Sequence, residues 1–176
     1  ALPQRVAPLT RTLMSRPLRT HWGVRTLASD HPAYDAFGYH LGSVWPHDTA
    51  LVAWGLARWG AGSAGAEIAR ALIRTSTHFG GALPELVAGV EVGDVIAGAA
   101  PLPFPTACSP QAWAAAAPVL LLRTVLGFEV DLPRRQVHLT PTVPEHWLPL
   151  TLGQVAVRAL LLTLRATVDG TTITGL

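Results

Sequence analysis

Residues 39–60 read YHLGSVWPHDTALVAWGLARWG, and no other stretch constrains the chain as much. The second half is a helix with apolar residues at Leu51, Val52, Trp54, Leu56 and Trp59, apolar nearly all round, so it needs cover on most sides. The first half puts Trp45, Pro46, His47 and Asp48 where that helix begins, so polar groups can face a cavity while the helix behind them is packed. Asp48 has a plain use here: as an N-cap it accepts hydrogen bonds from free N–H groups of the first turn, and its charge suits the positive end of the helix dipole. Trp45 and His47 add a second use. Partly polar rings beside a carboxylate supply what a sugar-binding wall requires, apolar area for the face of a pyranose and acceptors for its hydroxyls.

A second helix follows almost at once, since only Gly60 to Gly62 separate it from the first. Over residues 64–79 the stripe Ile68, Ala71, Leu72, Thr75 and Phe79 lies opposite Glu67, Arg70 and Arg74. Two helices so joined are antiparallel neighbours, the greasier one forming an inner layer and the amphipathic one an outer layer. A third helix is expected from Ser109 as N-cap with Pro110 at the first helical position, running to Leu126, bent at Pro118 and stopped by Gly127. Val6, Leu9, Leu13 and Met14 mark a shorter helix near the start. Residues 20–39 and 80–105 are punctuated by glycine and proline and read as long connections, which in compact domains are more often functional than accidental.

Composition asks what covers so much apolar surface. Hydrophobic residues make up 49% and charged residues 14%, against roughly 25% charged in an ordinary soluble domain. The longest apolar run, 112–122, ends at Arg123 and falls short of the roughly 20 residues of a spanning helix, so a membrane is not expected. That leaves a partner or the rest of a larger protein. The thirteen basic residues, all arginine, are scattered with a net charge of +2, which gives no basic stripe for nucleic acid. Cys108 is the single cysteine, so a reducing compartment is permitted and the cytoplasm is the expected location. The first residues carry no signal-peptide pattern and read as the middle of a longer chain.

His21, His31, His40 and His47 cluster in one region, yet their separations match neither the helical pair of zinc peptidases nor a Cys/His finger. No metal and no cofactor are expected, and hydrogen-bonding histidines around a polar cleft are the better use. Trp22 adds an aromatic face, and Arg25 a guanidinium able to hold a carboxylate, or else to tie the loop down to Asp30 or Asp35. Two buried helices begin with polar, proline-containing N-termini, and antiparallel layering sets those ends side by side. Asp48, Glu85, Gln111 and neighbours such as Trp113 can then line one pocket. Glu85 has its plainer alternative as well, a hydrogen bond at a helix end or within the loop.

Past Gly127 the period changes. Residues 136–140 alternate as a short strand, prolines break the chain around Trp147, and 155–168 is rich in β-branched residues and leucine. Asp169-Gly170 before Thr171 is a hairpin signal.

The segments WGVRTL (22–27), YHLGSVWPHD (39–48), LPEL (83–86) and CSPQAW (108–113) together resemble the C-terminal part of bacterial amylo-α-1,6-glucosidase-like proteins. These are related to glycogen debranching enzymes and, more distantly, to mannosylglycerate hydrolases and processing α-glucosidases. The resemblance implies a mainly α fold, the C-terminal part of an (α/α)6 toroid over residues 1–130; the small antiparallel β region expected over 131–176 is read from the residues of the tail themselves. It implies inverting hydrolysis of α-glucosidic bonds in glucans or oligosaccharides, with carbohydrate and the upstream part of the same protein as partners. Glu85 resembles the general base, and Trp45 with Pro46 the sugar-subsite wall. The general acid usually lies upstream, which favours Asp48 as a substrate-hydroxyl ligand over the proton donor; at roughly 6.5–9.5 Å from Glu85 and facing the same cleft, Asp48 would instead be the second catalytic carboxylate, the acid. The binding set expected beside these carboxylates is Trp45, His47, His40, Trp22, Arg25, Gln111 and Trp113. A non-catalytic carbohydrate-binding or scaffold segment is the rival function, and a membrane- or partner-binding helical module the third.

Overall fold

A computed structural model describes residues 2–93 and 99–175; the glycine-rich connection read at 87–100 lies partly outside the described residues. After one 3-10 turn at Pro3–Arg5, the order is α1 (Val6–Leu13), α2 (Pro46–Arg58), α3 (Gly62–Thr77), α4 (Ala112–Leu126), β1 (Phe128–Asp131), β2 (Gln136–Leu139), β3 (Leu150–Val157), β4 (Leu160–Thr167) and β5 (Gly170–Thr174). A second 3-10 turn, Glu145–Trp147, precedes β3.

The expected mainly α class is corrected. The chain is mixed α and β, 34% helical and 21% strand, with five antiparallel strands in two sheets, and the described residues show no partial toroid. The physical reason lies in the tail. Its β region, already expected from the sequence, is larger than a small appendage: Leu160, Leu161 and Leu162 are strand as read, because alternation from Leu162 onward buries Leu162, Leu164 and Ala166 and leaves Arg165 exposed. Arg158 turns the chain with φ 54°, so it folds back on itself as β3 and β4. Val168 and Asp169 turn it again into β5, pairing Thr167 with Gly170. Strand β1, which the sequence pattern does not announce, pairs with β2 immediately after α4.

The helices do not divide into inner and outer layers either. Helix α2 packs on both α3 and α4, and α3 touches α4. Their shared core holds Ala50, Ala53, Leu56, Ile68, Leu72, Leu83, Ala114, Leu121 and Val125. At Gly65 the two backbones approach so closely that a Cβ would stand 2.6 Å from the Ala53 carbonyl oxygen. Glu67 pairs not along its own helix but with Arg19. Helix α4 runs through Pro118 and ends at Gly127, a left-handed C-cap with φ 57°, where a side chain would also meet the Thr140 carbonyl. Leu126 carries the chain into the second core, which it forms with Leu162, Leu164 and Ala166.

Both helix starts differ from the sequence expectation. Trp45, in extended conformation, is the N-cap of α2, and Asp48 is third in its first turn, with no side-chain cap. Gln111 is the N-cap of α4, also extended, because its N–H bonds across to the Leu83 carbonyl (3.4 Å) and holds the segment out of the helix. Among the described residues no helix is long and apolar enough to cross a membrane.

Candidate active site

Four extended segments cross beneath the start of α2, joined by single bridges from Arg25 to Val44, Val44 to Val87, and Val87 to Pro103. Val44 and Val87 exchange both backbone hydrogen bonds at 2.9 Å, which sets the segment of Glu85 beside that of Trp45. The Glu85 N–H in turn donates to the Cys108 carbonyl at 2.9 Å. Long-range pairing of loops thus places Glu85, not a helix or a regular sheet.

The Glu85 residue is 8% exposed, and both carboxylate oxygens accept a hydrogen bond. The Tyr39 hydroxyl donates to Oε1 and the Cys108 N–H to Oε2 at 3.2 Å. The bond to Glu85, then burial, then the charges of Glu85 and Cys108 raise the Tyr39 hydroxyl above the ordinary tyrosine value, so it remains a protonated donor at neutral pH.

Around Tyr39 runs a continuous group of rings. Trp45 meets Tyr39 edge-on at 4.8 Å, and Phe104 does so at 6.0 Å. His40 stacks on Trp45 at 5.3 Å with 17° between planes, and His47 stacks on Trp113 at 4.6 Å and 13°. Trp45 and Trp113 lie 6.5 Å apart. The Trp45 ring is buried and fixed by its Nε1–H, which donates to the Tyr39 carbonyl (3.0 Å) and Ser43 Oγ (3.1 Å). Trp113 is half exposed. Such a wall offers a fixed ring, an open ring and two imidazoles beside a buried anion.

The structure therefore brings Glu85, Trp45, His40, His47 and Trp113 into one neighbourhood. Asp48 is exposed on the first turn of α2. Gln111 buries its Oε1 without a hydrogen-bond partner. Trp22 is set elsewhere, 1% exposed in a small core with Val44 and Val87, its carbonyl accepting from Thr75 Oγ1 at 2.9 Å. The Arg25 guanidinium is buried and spends its donors on backbone, on the carbonyls of Gly89 (2.6 Å), Arg16 and Pro17 (both 3.1 Å), rather than on Asp30 or Asp35. Sequence reasoning passes over Tyr39 and Phe104. A phenol six residues before the tryptophan and an aromatic between two prolines are the available signals. Among the described residues no group of three or more His, Cys, Asp or Glu is arranged to hold a metal ion.

Residues 1–85 match the family model of the mannosylglycerate hydrolase MGH1-like glycoside hydrolase domain. The matched stretch ends on Glu85 and takes in Trp22, Arg25, His40, Trp45, His47 and Asp48, but not Gln111 or Trp113. It supports a glycoside hydrolase family and says nothing specific to amylo-α-1,6-glucosidases. No curated protein matches the chain.

Proposed function

We propose that this chain supplies the water-activating side of an inverting glycoside hydrolase that cleaves α-glucosidic bonds in glucans or oligosaccharides, in the bacterial cytoplasm. Glu85 is the general base. It takes a proton from a water whose oxygen bonds to the anomeric carbon, while the glycosidic C–O bond breaks and the leaving oxygen takes a proton from an acid on the opposite side. Trp45 with Pro46, joined by Trp113, His40 and His47, forms the wall of the sugar subsite. Asp48 is a ligand for substrate hydroxyls, with Gln111 as a further polar contact, and the acid comes from the upstream part of the same protein. The helical residues form the glycosidase part expected over 1–130, and the strands from β1 (Phe128–Asp131) onward form an attached β region.

One observation carries this reading: a nearly buried carboxylate with both oxygens accepting from neutral donors, beside a cluster of aromatic rings. A general base has to be ionised and unneutralised, with lone pairs left for water. Tyr39 and the Cys108 N–H orient Glu85 without cancelling its charge, and a carboxylate's four or so lone-pair sites leave about two unoccupied. Acid–base groups of this kind are worth roughly 10²–10⁴ in rate. Glu85→Gln in the complete protein is therefore expected to lose hydrolysis of p-nitrophenyl α-glucoside, maltose and isomaltose by about that factor, while isothermal titration still detects sugar binding. Unchanged hydrolysis removes Glu85 from the mechanism; no hydrolysis by the unsubstituted protein, with binding present, favours a purely carbohydrate-binding role.

A further inference from the structure

Tyr39 connects the wall of the site to its carboxylate. Its main-chain carbonyl accepts from Trp45 Nε1 (3.0 Å) and Ser43 Oγ (2.7 Å), while its hydroxyl reaches across to Glu85 Oε1, 46 positions along the chain. Three rings grip the phenol edge-on, His40 at 4.6 Å, Trp45 at 4.8 Å and Phe104 at 6.0 Å. We propose that Tyr39 is a positioning residue for Glu85, holding its carboxylate at a fixed attitude to the Trp45 wall so that one lone pair on each oxygen stays aimed at water. This role rests on Glu85 being the base.

The terminal torsion of a glutamate is broad and roughly two-fold, so a carboxylate held at one oxygen swings. Glu85 is held at both, by a backbone N–H on Oε2 and the phenol on Oε1. The Cys108 N–H is a main-chain donor that any residue but proline at 108 would supply, whereas only the tyrosine hydroxyl supplies the other hold. Tyr39 exchanges no proton in the reaction. It donates to Oε1 throughout, and the proton taken from water goes to a remaining lone pair of Glu85. The titratable groups beside this contact are the Cys108 thiol and the His40 imidazole. Misplacement of a reacting group by about 1 Å costs on the order of 10² in rate, which sets the size of the expected effect.

Tyr39→Phe keeps the ring and removes only the hydroxyl. With p-nitrophenyl α-glucoside as substrate, it is expected to lower kcat by about ten- to a hundredfold, with KM changed less than about twofold. Because Tyr39 acts through Glu85, the double variant Tyr39→Phe/Glu85→Gln loses no more than Glu85→Gln alone. A full kcat in Tyr39→Phe, or losses that multiply in the double variant, overturns the proposal while leaving Glu85 as base. If Glu85→Gln retains hydrolysis, the base reading itself falls, and this one with it. A second measurement needs no substrate. An ultraviolet titration at fixed fold content, monitored by circular dichroism, of the unsubstituted protein minus that of Tyr39→Phe isolates the Tyr39 ionisation. It is expected above the usual value of about 10 and, with Glu85→Gln as background, to return toward it. A tyrosine titration unmoved by Glu85→Gln shows that the contact is absent and overturns the proposal independently of activity.

Discussion

Two glutamates, Glu85 at the crossing loops and Glu129 on β1, both accept hydrogen bonds on both carboxylate oxygens, and their partners are opposite in kind. Glu129 Oε1 accepts from Arg58 at 2.7 Å and Oε2 from Arg123 at 2.6 Å, so one anion sits between two cations. Glu85 accepts from a phenol and a backbone amide, both neutral. The first arrangement spends its charge on structure. It ties α2 and α4 to the first strand of the β part, with both guanidinium groups lying over the Trp54 ring at 5.4 and 6.0 Å. The second keeps its charge intact beside open aromatic surface. A carboxylate neutralised twice is a clamp; one oriented without neutralisation is available for chemistry.

Replacing each carboxylate by its amide tests that contrast most strongly. Glu85→Gln is expected to cost roughly 10²–10⁴ in rate with little change in melting temperature. Glu129→Gln is expected to leave the rate alone and lower stability by about 1 kcal/mol, read from thermal or urea unfolding, since its side chain is 36% exposed and its ion pairs are screened. Reversed outcomes would dissolve the distinction.

The two tryptophans of the wall sharpen it. Trp45 is 5% exposed and its Nε1 is bonded, so Trp45→Ala is expected to destabilise by about 3–5 kcal/mol in addition to weakening sugar binding. Trp113 is 50% exposed, so Trp113→Ala is expected to weaken binding of maltose with a stability change within about 0.5 kcal/mol. Equal stability losses at the two positions would mean that the open ring is part of the core.

Much of the architecture was legible locally. The glycine that ends α4, the stripe of α3 and the turn before β5 are short-range signals, each written within a few residues. The balance of helix and strand was not, because β1 carries no pattern of its own and the fold-back between β3 and β4 hinges on Arg158 at positive φ, an uncommon conformation for arginine. At the site, Trp45, His47 and Glu85 stood out by residue type. Their grouping rests on the Val44–Val87 bridge and the Tyr39–Glu85 bond, which join positions more than forty apart and leave no periodic trace. Trp22 and Arg25 looked like site residues for the same reason that they make good core: a large ring and a donor-rich fork satisfy buried loops as well as they satisfy a ligand.

The smallest expected effect is the clamp's own share of the pH dependence of stability. Partial burial pushes Glu129 up, but the hydrogen bond and charge of Arg123, followed by those of Arg58, outweigh it and hold the group below the usual carboxylate range. A depressed folded value contributes stability that is present above the unfolded value of about 4.3 and is lost as pH falls through the folded value. Urea midpoints measured from pH 6 down to pH 3 are expected to fall less steeply in Glu129→Gln than in the unsubstituted protein, with the difference shrinking in 1 M salt. Parallel curves would show that the clamp does not discriminate between protonation states.

If Glu85 acts on water rather than on the sugar carbon, the anomeric configuration inverts, and the first-formed product carries the record. Proton NMR reads that product within minutes, before mutarotation mixes the anomers. Hydrolysis of an α-glucoside by the complete protein is expected to release β-glucose first. Release of α-glucose first would mean a covalent intermediate, with a carboxylate as nucleophile, and would contradict the role of Glu85 as general base.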